Sequence, residues 1–132
     1  LAVELFLTKD GKVLVNEVAP RPHNSGHHSI EANITSQFEQ HLRAILNLPL
    51  GDPSIVKAGV MVNLLGEFGH EGTAVYQGLE DVLKFSGVYV HLYGKSLTKA
   101  FRKMGHVTIV DNDILKAKQK AKLVKNTLKV VA

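Results

Sequence analysis

Apolar and polar positions change period several times along the chain, and each change marks an element. Val3 to Thr8 and Val13 to Val18 are β-rich runs separated by Lys9-Asp10-Gly11-Lys12. Asp-Gly between such runs signals a two-residue hairpin turn. With that turn Lys9 pairs with Lys12, and the same register sets Glu4 directly opposite Glu17. From Ser36 the period lengthens. Phe38, Leu42, Ile45 and Leu46 recur on one helical face, Ser36 and Glu39 form a capping-box signature, and Asn47 and Pro49 should end the helix.

Gly51 to Ser54 is a turn-rich break and the expected internal boundary, dividing the chain into 1–50 and 51–132. Val56 to Leu65 reads as a strongly apolar strand, with Val60, Met61, Val62, Leu64 and Leu65 buried on both faces. Gly66 to Gly72 is a glycine-punctuated loop in which His70 and Glu71 should be solvated. Leu79 to Phe85 reads as a short helix, and Gly87 to Tyr93 and Gly105 to Val110 as strands. Asp111 or Asn112 caps a terminal helix of about 15 residues, with Ile114, Leu115, Ala117, Ala121, Val124 and Leu128 toward the protein. The class is α+β, with short antiparallel strands and two main helices.

Chemistry concentrates behind the first hairpin. Val15 to Ser29 reads V-N-E-V-A-P-R-P-H-N-S-G-H-H-S, with a carboxylate, an arginine, amides and three histidines. Pro20 and Pro22 hold Arg21 and His23 in an extended, irregular segment where side chains converge on a small ligand. So many functional groups rarely crowd a mere connector. Glu4 and Glu17, opposite each other, would have Cβ atoms roughly 4.5–5.5 Å apart and repel. Two facing carboxylates beside a loop of donors suit a divalent cation with oxygen ligands, most naturally magnesium. A second concentration, Lys95 to Lys103, gathers cations between two strands. There Arg102 offers a planar fork for a phosphate and Lys95 a point charge.

Composition bounds the class further. The 132 residues are 45% hydrophobic, enough for one modest domain with a core. The chain begins at Leu1, without a methionine and inside a strand, which reads as a piece of a larger protein. No signal peptide or membrane-spanning apolar run is visible, and no cysteine offers disulfide or thiolate chemistry, which suits a cytoplasmic enzyme. The net charge of +4 invites a nucleic-acid reading. Much of that charge lies from Lys116 to Lys129, as the wet face of a helix, and an anionic small substrate explains the rest.

Glu4, Asn16-Glu17 and the run from Ala19 to His27, A-P-R-P-H-N-S-G-H, resemble the C-terminal part of an ATP-grasp carboxylase-ligase. The family is 5-(carboxyamino)imidazole ribonucleotide synthase, of purine biosynthesis. Thr35 to Ala44 and Arg102-Lys103-Met104-Gly105-His106 are ordered and spaced as in that family. The resemblance runs over essentially the whole chain. It implies an ATP-grasp part, hairpin plus helix, over 1–50. A small antiparallel β-rich C-terminal domain with a terminal helix follows over 51–132.

The implied cofactors are ATP and Mg2+, and the implied substrates are bicarbonate and 5-aminoimidazole ribonucleotide. Glu4 and Glu17 would hold the metal, with Asn16 and Glu17 beside the nucleotide. Arg21 would hold bicarbonate, His23 and Asn24 would orient carboxyphosphate, and Lys95, Arg102 and Lys103 would bind the ribonucleotide. Arg43 would anchor the loop from behind. Many ATP-grasp enzymes place an asparagine where Ala19 stands, so a second metal's coordination is open. The fragment lacks a glycine-rich phosphate loop and an adenine pocket, so it should be inactive without an N-terminal ATP-grasp half. The parent is expected to be a homodimer with no nucleic-acid or membrane partner. Rival readings are another ATP-grasp enzyme (a formyltransferase or a biotin carboxylase), a basic nucleic-acid-binding module, and a structural dimerisation domain.

Overall fold

The computed structural model describes residues 1–132. An antiparallel hairpin opens the fold, β1 (Ala2–Leu7) against β2 (Val13–Ala19). Its connection differs from the two-residue turn expected. Thr8 N donates to Lys12 O at 2.9 Å and Gly11 N to Thr8 O at 3.0 Å, so Thr8, not Lys9, closes onto Lys12. Gly11 takes the left-handed φ of +80° that such a loop needs at its last residue. The longer loop moves the register by one, so that Leu5 faces Val15. A bulge between Glu4 and Leu5 moves it back, and Glu4 faces Glu17 after all. The residue absorbed by the bulge is Asn16.

After the hairpin the chain does not stay irregular to Ser29. It curls into a 3-10 turn (Asn24–Gly26) and then a single helical turn, α1 (Ser29–Ala32), too short to leave a periodic signature. The next helix, α2 (Gln37–Ile45), starts where the capping box placed it, with Ser36 Oγ accepting from Glu39 N at 3.2 Å. Asn47, at φ 54°, turns the chain away. Arg43 does not reach back to the loop. Its guanidinium donates to Glu39 (2.6 and 3.0 Å) and to Pro49 O (3.2 Å), tying the helix to its own exit.

The second half contains β3 (Ala58–Leu65), β4 (Gly72–Thr73), β5 (Val75–Gln77), α3 (Leu79–Val82), β6 (Val88–Leu92), β7 (Leu97–Thr98), β8 (Lys103–Asp111), α4 (Ile114–Thr127) and β9 (Lys129–Val131). Its main sheet has the order β3-β8-β6, both pairings antiparallel. β3 was expected to be buried on both faces but lies at an edge, with Leu64 buried and Leu65 partly exposed. The central strand is β8, buried from Met104 to Val110 between two neighbours. One face of it sends Val107 and Ile109 into a core with Ala117, Ala121 and Val124 of α4. The other face carries His106 and Thr108 and lies under α1.

Helix α4 is capped by Asp113, whose carboxylate accepts from Leu115 N at 2.8 Å, one or two residues later than the candidates expected. Ile114 and Leu115 consequently point outward rather than into the core. The chain does not end in the helix, because β9 returns to pair with β5. Short strands of two or three residues, such as β4, β7 and β9, carry too little alternation to be read in advance.

The hairpin and α2 leave their apolar side chains open, among them Leu7, Val15, Ile45 and Leu46, each more than half exposed. Buried and open parts should respond differently to mutation. Ile109→Ala, at a fully buried position, is expected to cost about 2–5 kcal/mol. Phe68→Ala, at a position 81% exposed, should stay within about 0.5 kcal/mol. Urea denaturation of the two variants measures the contrast.

Candidate functional site

The bulge brings three groups of β1 and β2 onto one face. Asn16 Nδ2 donates to Glu4 Oε1 at 2.5 Å, while Glu4 and Glu17 face each other across the ribbon. Two carboxylates so placed repel unless a counter-charge or donor intervenes. His23 supplies it. Its Nε2 lies 2.5 Å from Glu17 Oε1 and its Nδ1 3.3 Å from Glu4 Oε2. Ser25 N donates to the same Nδ1 at 3.3 Å, which makes Nδ1 an acceptor and leaves the Nε2 hydrogen for Glu17. Ligand atoms of Glu4, Glu17 and His23 all fall within 4.8 Å of one another. The two carboxylates offer the hard oxygen donors that magnesium takes, and the exposed ribbon leaves room for the waters it retains, so the pair fits that ion.

His23 is held in place by α2. Gln37, the first helical residue, accepts from His23 N at 2.9 Å through Oε1 and donates to His23 O at 2.7 Å through Nε2. The same amide nitrogen reaches His27 Nδ1 at 2.8 Å. Ser29 Oγ accepts from Gln37 N at 2.9 Å and donates to Gly26 O, closing the loop onto the helix start. A Cβ at Gly26 would meet Gln37 Oε1 at 2.6 Å, so only glycine leaves room for this amide. Gln37 was missed as a functional residue in the sequence. Glu39 held the capping signal, and nothing local marks Gln37 as a clamp on a residue 14 positions earlier.

The loop and the second sheet enclose a cleft of about 300 Å³. Glu17, Arg21, His23 and Asn24 line it from the first half of the chain, Tyr93, Lys95 and Lys103 from the second. Lys95 Nζ donates to Lys103 O at 2.6 Å, which holds its ammonium at the cleft wall. Arg102, the residue before β8, is not among the lining residues; its guanidinium donates to Leu97 O at 3.1 Å. Asn16 and Glu4 stand at the hairpin face, beyond the lining. The arrangement sets several cations and one carboxylate around a small volume, suited to an anionic ligand beside a cation.

Behind the cleft lies a polar layer that the sequence did not reveal. His27 also lines the cleft and packs against Phe38 and His106, with ring centroids 5.2 and 4.9 Å apart. His106 stacks on His91 at 4.4 Å, nearly parallel. His91 Nε2 in turn pairs with Glu31 Oε1 of α1 at 2.7 Å. Tyr93 Oη hydrogen-bonds His106 Nδ1 at 2.9 Å. Burial, with nearby His91 and His27, pushes the His106 imidazole down to about 4. Burial also lowers His27, assisted by the charges of Lys103, His23, His91 and Arg21.

Residues 1–38 match the family described as ATP-grasp domain, and residues 59–120 match Phosphoribosylaminoimidazole carboxylase C-terminal domain. The chain is 54% identical over 110 residues to N5-carboxyaminoimidazole ribonucleotide synthase of Bacillus subtilis, covering 83% of this chain and 27% of that protein. It is 53% identical over 118 residues to the chloroplastic phosphoribosylaminoimidazole carboxylase of Vigna aconitifolia, covering 86% of this chain and 21% of that one. The crystal structure of N5-carboxyaminoimidazole ribonucleotide synthetase from Thermotoga maritima superposes with a TM-score of 0.94 at 57% identity, over 98% of this chain and 36% of that chain. An Aspergillus clavatus synthase, solved with ADP and 5-aminoimidazole ribonucleotide, superposes at 0.81 with 34% identity, over 94% of this chain and 33% of that chain. The chain thus spans between 21% and 36% of the length of these relatives. No helix in it is long and apolar enough to cross a membrane.

The buried histidine gives the fold a pH dependence of known sign. His106 is held near 4 in the folded state, against about 6.5 in an unfolded chain. Between these values the unfolded state binds the extra proton, so the stabilisation is full above about pH 6.5 and declines as pH falls toward 4. The loss across that window is on the order of 3 kcal/mol. Denaturation midpoints measured from pH 7 to 4 should fall for the native sequence and fall less steeply in His106→Gln, where only His27 keeps a lowered imidazole.

Proposed function

This chain belongs to the N5-carboxyaminoimidazole ribonucleotide synthase family, and on that premise we propose that it carries the metal and carboxyphosphate site of an ATP-dependent ligase. The intact ligase carboxylates 5-aminoimidazole ribonucleotide with bicarbonate, a step of purine biosynthesis. Residues 1–50 complete an ATP-grasp domain and residues 51–132 form the small C-terminal domain beside it. The open apolar faces of the hairpin and α2 receive the preceding ATP-grasp half, and without it the 132 residues neither bind ATP usefully nor turn over. The parent works as a homodimer in the cytoplasm or, as the plant relative's name indicates for that protein, in a plastid.

In this reading a bicarbonate oxygen attacks the γ-phosphorus of ATP and ADP departs. The amine of the ribonucleotide then attacks the carboxyl carbon and gives up a proton, with inorganic phosphate leaving as the C–O bond to it breaks, either in that step or beforehand to release carbon dioxide. Phosphoryl transfer of this kind depends on positioning and charge neutralisation more than on covalent help. Glu4 and Glu17 would hold magnesium, which neutralises phosphate charge when bound, and Asn16 steadies Glu4 beside it. Arg21 supports the developing negative charge on the carboxylate as a preorganised donor. His23 and Asn24 orient the carboxyphosphate, with the Nδ1 of His23 placed as an acceptor beside it. Lys95 and Lys103 face the ribonucleotide, with Arg102 turning from Leu97 O to grip its 5′-phosphate.

The observation that supports this reading is the cleft. Residues separated by as much as 86 positions, Glu17 and Lys103, meet there around one small volume. Kinetics of the full-length enzyme test the roles separately. Arg21→Ala is expected to lower kcat roughly a hundredfold to a thousandfold, the usual loss for a donor to a developing oxyanion. Arg102→Ala should mainly raise KM for the ribonucleotide, since a phosphate grip holds ground state and transition state alike. Arg21→Ala turning over normally with bicarbonate and ribonucleotide would remove the loop from the carboxyphosphate site.

A further inference from the structure

His27 lies outside the roles just assigned, yet its ring lines the cleft and its protonation state follows from the hydrogen-bond geometry. The Gln37 amide cannot be reversed, because its oxygen faces a backbone N–H and its nitrogen a backbone carbonyl, both of His23. Its nitrogen is therefore a donor, and His27 Nδ1, at 2.8 Å from it, must accept. A neutral imidazole that accepts at Nδ1 carries its hydrogen on Nε2. That Nε2 has no protein partner and is not enclosed, unlike the Nε2 of His106, which is buried. Phe38 and His106 pack on the ring and stop it from turning away.

We propose that His27 is a neutral hydrogen-bond donor to an anionic oxygen in the cleft, a carboxylate or phosphate oxygen of the reacting species, and that Gln37 is the positioning residue that fixes its tautomer. The proposal rests on the reaction read above and adds a group to it. A neutral donor differs in use from the cations around it. Lys95 and Lys103 stabilise the anion whether or not it reacts, whereas an imidazole N–H directed at one oxygen discriminates by position. The surroundings keep the ring neutral. Lys103, His23, His91 and Arg21 all disfavour a second proton, as burial does. The same use of a neutral imidazole as an electrophile occurs where a local field opposes the imidazolium.

The test uses the full-length enzyme labelled with 15N-histidine. Two-bond proton–nitrogen spectra at pH 8 should place His27 in the Nε2–H tautomer, with its titration midpoint below that of a free imidazole. Its Nε2–H resonance should shift saturably as inorganic phosphate is added. His27→Phe keeps the packing and removes the donor, and its kcat should fall on the order of 10–100-fold, with the KM for ATP unchanged. His27→Asn, which retains an N–H, should recover part of that loss. Gln37→Glu replaces the donor by an acceptor, so His27 should take a hydrogen on Nδ1 and titrate at a higher pH than in the native enzyme. An Nδ1–H tautomer in the native enzyme, a resonance indifferent to phosphate, or His27→Phe turning over like the native enzyme would each overturn the assignment. If the native enzyme fails to carboxylate the ribonucleotide, the proposed reaction falls, and the tautomer and phosphate titration still decide the role of His27.

Discussion

Two carboxylates held side by side on a short ribbon are the constraint around which this structure is arranged. Glu4 and Glu17 face each other because a longer turn and a bulge at Asn16 offset one another, so the register is fixed by backbone geometry and not by attraction between the side chains. Left alone the pair would repel. The fold answers with an imidazole between the two acids and an amide on the outer oxygen of Glu4. Neutral donors, not an internal cation, face the two acids, and an external cation on the exposed ribbon would take their place.

Placing that imidazole demands the rest of the first half. Pro20 and Pro22 keep the loop extended until His23, after which it coils back through a 3-10 turn. Gln37 then grips His23 by both its backbone groups, and glycine at position 26 leaves the space for it. The second half contributes through a strand with two characters. The α4-facing side of β8 is packed with Val107 and Ile109, while the opposite side carries the histidine that backs the cleft. Stability and site geometry are therefore built from alternate residues of one strand.

How much of this was legible in the sequence depends on the range of the interaction. The hairpin, the capping box at Ser36 and the main strands follow from local pattern, and the structure has them. The pairing of Glu4 with Glu17 was reached by assuming the wrong turn and no bulge, two differences that cancel at that pair and not at Leu5. Apolar content alone suggested that β3 would be the buried strand. The sheet order made it an edge and gave the centre to β8, whose histidine, threonine and glycine make it look less apolar. That Arg21 and His23 would share one cleft was legible because they are near neighbours in the chain. Glu31 and His91 are 60 positions apart and Tyr93 and His106 meet only across strands, so no sequence spacing announces them. Gln37 was visible only as part of a family pattern, since a glutamine at a helix start has no chemistry until the loop folds onto it.

The central claim is that the cleft beside Glu17 handles a carboxyphosphate, and isotope transfer examines it directly. The full-length enzyme is supplied with ATP, 5-aminoimidazole ribonucleotide and bicarbonate labelled with 18O, and the phosphate released is analysed by mass spectrometry. If bicarbonate attacks the γ-phosphorus, one labelled oxygen must stay with the phosphate when the carboxyl group is transferred. The account predicts singly labelled phosphate in step with carboxylated product. Unlabelled phosphate formed together with that product would contradict it, because carboxylation would then proceed without a bond between bicarbonate and phosphorus.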